Sequence, residues 1–191
     1  MRFVLASGSP RRKELLSAAG FEYEVHPADI DETVDLSTPT EAVAETLARK
    51  KAESVLKEYP DAVVLGSDTI VVLDGEILGK PHGKDQAAEM LKALSGREHQ
   101  VYTGLCVCSR EKTLSLTSRT DVYFHELSDR LIDAYVATGE PMDKAGAYGA
   151  QGLGSMLVDR IDGDFFTVMG LPIAEAARLL SKFGITGTLP V

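Results

Sequence analysis

Apolar positions along the chain follow two interleaved rhythms: short runs, and stretches in which they recur every three or four residues. Arg2 to Leu5 is a short apolar run that ends in a turn at Gly8, and Pro10 introduces a helical stretch, Arg11 to Ala19, closed by Gly20. Thr40 to Tyr59 carries Ala44, Leu47, Ala48, Ala52 and Val55 on one face, which predicts an amphipathic helix ended by Pro60. Ala62 to Leu65 is a continuous apolar run and predicts a buried strand. Thr69 to Leu73 and Glu76 to Leu78 flank Asp74-Gly75, a hairpin signal because both turn residues tolerate a positive φ.

Lys84 to Leu94 predicts a helix stopped by Gly96, Val101 to Cys108 and Leu114 to Phe124 predict two strands, and Ser128 caps a helix running to about Thr138. Ser155 to Val158 and Phe165 to Val168 flank Asp162-Gly163 and read as a second hairpin, after which Pro172 opens a last helix. Helices and strands alternate, yet several connections between strands are too short for crossovers. The fold class expected is therefore α/β with a mixed central sheet.

Composition narrows the setting. The 191 residues are 44% hydrophobic, enough for one ample core or for two lobes, and one compact domain over residues 1–191 is expected. No apolar run approaches the roughly 20 residues that cross a bilayer, and the N-terminal apolar stretch is too short for a secretory segment, so the expected location is the cytoplasm. Cys106 and Cys108 stand two apart on a predicted strand, on one face and without disulfide geometry, which points to core thiols. His26, His82, His99 and His125 show no metal-ligand spacing, so any metal is held by oxygen. With 20 Lys and Arg against 29 Asp and Glu, the net charge of −9 disfavours nucleic acid as a partner. A small polyanion remains compatible if a few cations converge.

Several segments carry the chemistry for that. In SGSPRR, Ser7 to Arg12, small residues leave a strand and Arg11 and Arg12 open a helix whose N-terminal amides suit an anion; alone, it is also an ordinary Pro-initiated turn with solvated arginines. In GSDT, Gly66 to Thr69, Asp68 is expected at the carboxyl end of the buried strand, where it is either a metal-binding or proton-accepting carboxylate or a turn cap. Lys51 falls in the apolar stripe of its helix and either finds an acidic partner or snorkels. Lys80 in GKP and Lys144 in DKAGAYGAQG adjoin small residues that admit a ligand closely. The Gln151 amide offers a donor and an acceptor to a pyrimidine imide edge, or to its own loop. Glu32, in the acidic segment Asp29 to Thr33, is a second metal-binding carboxylate or part of a solvated loop.

Taken in order, LASGSPRRKELL, DIDE, LARKKA, GSDTIVVLDGEILGKP, LSGREHQVYTG, EPMDKAGAYGAQG and IDGDFFTVMGLPI resemble the Maf family of nucleotide pyrophosphatases over nearly the whole chain. The resemblance implies an inosine-triphosphatase-like α/β fold with two lobes around a cleft, and a homodimer. It implies Asp68 as catalytic aspartate, with a divalent cation, Mg²⁺ or Mn²⁺, on Asp68 and Glu32. It carries phosphate binding to Ser7, Arg12, Lys51, Lys80 and Lys144, and substrate specificity to Arg11, Thr69 and Gln151, which match the branch acting on dTTP and UTP. The implied activity is hydrolysis of these triphosphates, and of modified pyrimidine nucleotides, to the monophosphate and pyrophosphate. That is house-cleaning of nucleotide pools, with a link to cell-division arrest. The alternative is a non-catalytic nucleotide-binding regulator of septum formation.

Overall fold

The computed structural model describes residues 1–35 and 37–189. Its elements run β1 (Phe3–Leu5), α1 (Pro10–Ala18), β2 (Glu24–Val25), α2 (Thr40–Glu58), β3 (Val63–Leu73), β4 (Glu76–Leu78), α3 (Lys84–Leu94), β5 (Glu98–Cys108), β6 (Thr113–Phe124) and α4 (Asp129–Ala137). Three 3₁₀ turns follow, Glu140–Asp143, Ala145–Ala147 and Gly152–Leu157, then β7 (Val158–Asp162), α5 (Phe165–Met169) and α6 (Ile173–Ser181). The sheet is mixed, as expected: its order is β2-β1-β3-β5-β6-β7, β1 is parallel to β2 and β3, and the β3–β4 and β6–β7 pairs are antiparallel.

Two compact units divide the chain. The first gathers Met1–Asp68, Thr103–Ser118 and the chain from Gly170 on; the second gathers Thr69–Tyr102 and Arg119–Met169. In the first, Ala48, Ala52 and Val55 of α2 cover Val4, Val64, Cys106 and Cys108, so the two thiols are free and buried in the core as their spacing implied. The alternate strand residues Leu5, Leu65 and Leu105 are buried as well, and a sheet covered on both faces follows. In the second, Leu91 and Leu94 of α3 join Ile132 and Tyr135 of α4 against Val71, Val101, Val122 and Phe124.

Helix α2 sits unusually close to the strands beneath it. A Cβ built on Gly66 would come within 2.2 Å of the Ala48 carbonyl oxygen, and one on Gly104 within 2.3 Å of the Ala44 carbonyl. Both obstacles are backbone, which cannot swing aside as a side chain can.

Two expectations are corrected. The predicted strands Ala62 to Leu65 and Thr69 to Leu73 are one strand, β3, so Asp68 stands in mid-strand and not at a carboxyl end. The polar interruption does not break the strand because Gly66 lies under α2 and the buried Ser67 hydroxyl donates to the Gly170 carbonyl at 3.0 Å. The second hairpin does not form either. Ser155 to Leu157 belong to a 3₁₀ turn, β7 pairs with β6, and Phe165–Met169 is a helix. Asp164 starts that helix, its carboxylate accepting the N–H groups of Phe166 and Thr167 and the Thr167 hydroxyl at 3.0 to 3.2 Å.

One buried histidine ties the second unit's core to pH. His99, fully buried, exchanges a 2.7 Å hydrogen bond between Nε2 and the Tyr148 hydroxyl, and both rings meet Phe124 edge to face. Its Nδ1 has no hydrogen-bond partner among the described residues. Burial pushes its pKa from 6.5 down to about 4.

Two outcomes follow. Gly66→Ala should cost about 3 kcal/mol in urea unfolding, whereas Gly79→Ala, where an added Cβ meets nothing within 4 Å, should stay within about 1 kcal/mol of wild type. Because the folded chain favours neutral His99, its contribution is whole above about pH 6.5 and is lost as pH falls toward 4, by about 3 kcal/mol in all. In His99→Gln the loss of stability between pH 6.5 and 4 should shrink by that amount; an unchanged pH dependence would contradict this.

Candidate active site

The apolar strand β1 delivers Ser7, buried, to the turn before α1, and Pro10 at the first helical position sets Arg11 and Arg12 in the opening turn of the helix. Arg12 does not spread into solvent. Its Nε donates to the Gly170 carbonyl at 2.7 Å and its Nη1 to Ser7 Oγ at 3.0 Å. Burial pulls the guanidinium down from its ordinary pKa, with the Asp68 charge opposing and Arg11 adding to the fall. Ser7 Oγ also accepts the Ser9 N–H, at 3.3 Å, so two donors already point at this oxygen and its proton is available to an acceptor. Arg11 is partly exposed beside it.

Lys51 is the centre of the first unit's cluster. It lies on α2 between Ala48 and Ala52, the two residues whose backbone approaches Gly66, and Asp68 is two residues along β3 from that contact. The close approach therefore brings the ammonium to the carboxylate: Nζ stands 2.5 Å from Asp68 Oδ1 and 2.7 Å from Glu32 Oε1. The Lys51 and Asp68 side chains are each 13% exposed and Glu32 is 62% exposed, so the pair is sheltered and the third member faces water. Of the two readings open to Lys51, the acidic partner is the one the structure contains. The acidic segment is fastened over the helix by Lys50, whose Nζ donates to the Thr33 carbonyl at 2.6 Å.

The second unit holds the other positions. Thr69 follows Asp68 on β3 and is partly buried. Lys80 is exposed after β4, and its loop is joined to the next by a hydrogen bond from the Gly146 N–H to the Gly79 carbonyl at 3.1 Å. Lys144, 14% exposed, donates to the Glu140 carbonyl at 2.5 Å and pairs with Asp143 at 2.7 Å. Gln151 is exposed at the start of the 3₁₀ turn Gly152–Leu157.

The structure thus gathers Ser7, Arg12, Lys51, Asp68 and Glu32 within one unit, although they come from four segments. Sequence reasoning missed Ser67 and Gly170, whose carbonyl takes both the Ser67 hydroxyl and Arg12 Nε. The signal for Ser67 was its place beside Asp68; a backbone carbonyl leaves none. Among the described residues no three His, Cys, Asp or Glu side chains cluster as a metal cage. Asp68 Oδ1 and Glu32 Oε1 both face Lys51 Nζ, so the point they share holds an ammonium, and their hard oxygens are of the donor type that a divalent cation takes.

The Maf-like protein family matches residues 2–183. The chain is 47% identical over 187 residues to the dTTP/UTP pyrophosphatase of Bacillus anthracis, covering 98% of each, and 48% identical over 182 residues to that of Bacillus cytotoxicus, covering 95% of each. Among solved structures, the Ham1 protein of Staphylococcus aureus shares the fold, with a TM-score of 0.52 at 17% identity over 83% of this chain and 80% of that one. No helix among the described residues is long and apolar enough to cross a membrane. A family model that matches residues 2–183 and relatives 47% and 48% identical over nearly the whole chain make this chain a member of the Maf family.

Proposed function

We propose that this chain is a cytoplasmic nucleoside triphosphate pyrophosphatase that hydrolyses dTTP and UTP, and related modified pyrimidine nucleotides, to the monophosphate and pyrophosphate. The observation that carries the reading is Lys51 between Asp68 and Glu32: a fixed positive charge on a reactive carboxylate, with Arg12 on the adjoining segment. The names of its relatives at 47% and 48% identity supply the substrates. The resemblance of the whole chain supports a homodimer.

In this mechanism a water oxygen attacks the α-phosphorus, its proton passes to an Asp68 carboxylate oxygen, the bond from the α-phosphorus to the bridging oxygen breaks, and pyrophosphate leaves with the electron pair. Arg12 and Lys51 neutralise phosphate oxygens, and the Ser7 hydroxyl donates to one of them; Lys80 and Lys144 extend the same service along the chain of phosphates. Arg11, Thr69 and Gln151 select the base. A divalent cation, Mg²⁺ or Mn²⁺, held by Asp68 and Glu32 would add charge neutralisation on the triphosphate. Preorganised charge carries most of the rate, because the ion pair is already sheltered before substrate arrives.

Pyrophosphate release from a panel of triphosphates tests the reading, and dTTP and UTP should lead it. Nucleotide binding without release from any of them would favour the regulator of septum formation. Asp68→Asn should lower release by about 10² to 10⁴ while folding survives, because Lys51 keeps its contact with Glu32. Lys51→Met removes the shared cation and leaves two carboxylates facing one another. It should lose activity and also about 3 kcal/mol of stability in urea.

A further inference from the structure

Glu140 opens the 3₁₀ turn Glu140–Asp143, and its carboxylate reaches the segment that carries Gln151. Oε1 accepts the Gly154 N–H at 2.9 Å and the Tyr135 hydroxyl at 3.0 Å, and Oε2 accepts the Leu153 N–H at 3.1 Å. The Tyr135 oxygen in turn accepts the Gly149 N–H at 3.2 Å. Residues 149 and 154 are thereby fastened to one tyrosine–glutamate pair, and they nearly touch: a Cβ on Gly154 would meet the Gly149 carbonyl at 2.2 Å. Gly152, at φ +78°, curls the chain over the carboxylate, where an added Cβ would stand 3.0 Å from Glu140 Oε2. Gln151, exposed, lies within this closed loop, between Gly149 and Gly154.

Burial pushes the Glu140 carboxyl up, but the N–H groups of Gly154 and Leu153 and the Tyr135 hydroxyl outweigh it and hold the group below the usual carboxylate range. Burial pushes the Tyr135 phenol upward, so it stays protonated and donates. The fastening is thus charge-assisted and in place at neutral pH.

We infer that Glu140 and Tyr135 are a positioning pair that sets base selectivity by holding the loop 149–154, so that the Gln151 amide meets the base in one place and one orientation. The inference rests on the reading of Gln151 as a base-selecting residue. Uracil and thymine present a carbonyl, an N–H and a carbonyl along their pairing edge, whereas cytosine presents an amino group and a bare ring nitrogen. A carboxamide on a loose loop can turn whichever end a base requires, and discriminates little. A held one leaves the wrong base with an unpaired polar group, which is the source of strong selectivity.

The test compares kcat and KM on dTTP, UTP and dCTP for wild type, Glu140→Gln, Tyr135→Phe and Gln151→Ala, with unfolding curves for each. In Glu140→Gln the preference for dTTP over dCTP should fall by about tenfold, chiefly through a higher KM for dTTP, with kcat on dTTP kept within about threefold. Tyr135→Phe, which removes one hydroxyl, should move the preference the same way by less, and it decides the matter alone if Glu140→Gln does not fold. A preference left intact in both, or activity lowered in equal proportion on all three nucleotides, overturns the positioning role. Gln151→Ala separates the two layers. If it abolishes the preference while the positioning variants keep it, only the present inference fails; if it leaves the preference intact, the role of Gln151 fails and this inference with it.

Discussion

Helix α2 meets strand β3 backbone to backbone at Gly66, and the position of Lys51 follows from that contact. Were α2 a few ångströms higher, as an ordinary side chain at residue 66 would require, the ammonium would not reach Asp68 at 2.5 Å. The same helix carries Lys50, which ties down the acidic segment and brings Glu32 to the other side of the ammonium. A close-packed interior that tolerates no added methyl here is thus also what sets the geometry of the charges.

In each unit, buried polar groups are satisfied by specific partners. The Gly170 carbonyl binds both Ser67 and Arg12, linking β3, α1 and the segment before α6. Thr120 and Asp164 do the same for the turn that starts α5, with hydrogen bonds of 3.0 Å in each direction. Each arrangement replaces water with fixed donors and acceptors.

Much of this was legible in the residues. The period of Thr40 to Tyr59 marks α2 to within a residue, whereas Lys51 in its apolar stripe is compatible with either an acidic partner or snorkelling, and only the fold decides for the partner. The motif from Ser7 to Arg12 marks a strand, a turn and a helix, all present. Local pattern failed where tertiary contacts decided. GSDT looks like a strand end, because its small polar residues reveal neither the helix overhead nor the carbonyl waiting for Ser67. Phe165 to Val168 has the apolar content of a strand, yet the carboxylate just before it caps a helix. The anchoring of Arg12 and of the Gln151 loop depends on backbone groups, which every residue carries alike and no sequence distinguishes.

If Lys51 and Asp68 act as one unit on the triphosphate, their coupling will show in a double-mutant cycle on kcat/KM for dTTP, with Lys51→Met and Asp68→Asn made singly and together. The two losses should be strongly non-additive, the double variant being little worse than Asp68→Asn alone. Losses that simply multiply would mean that the two side chains work independently, and would contradict that coupling.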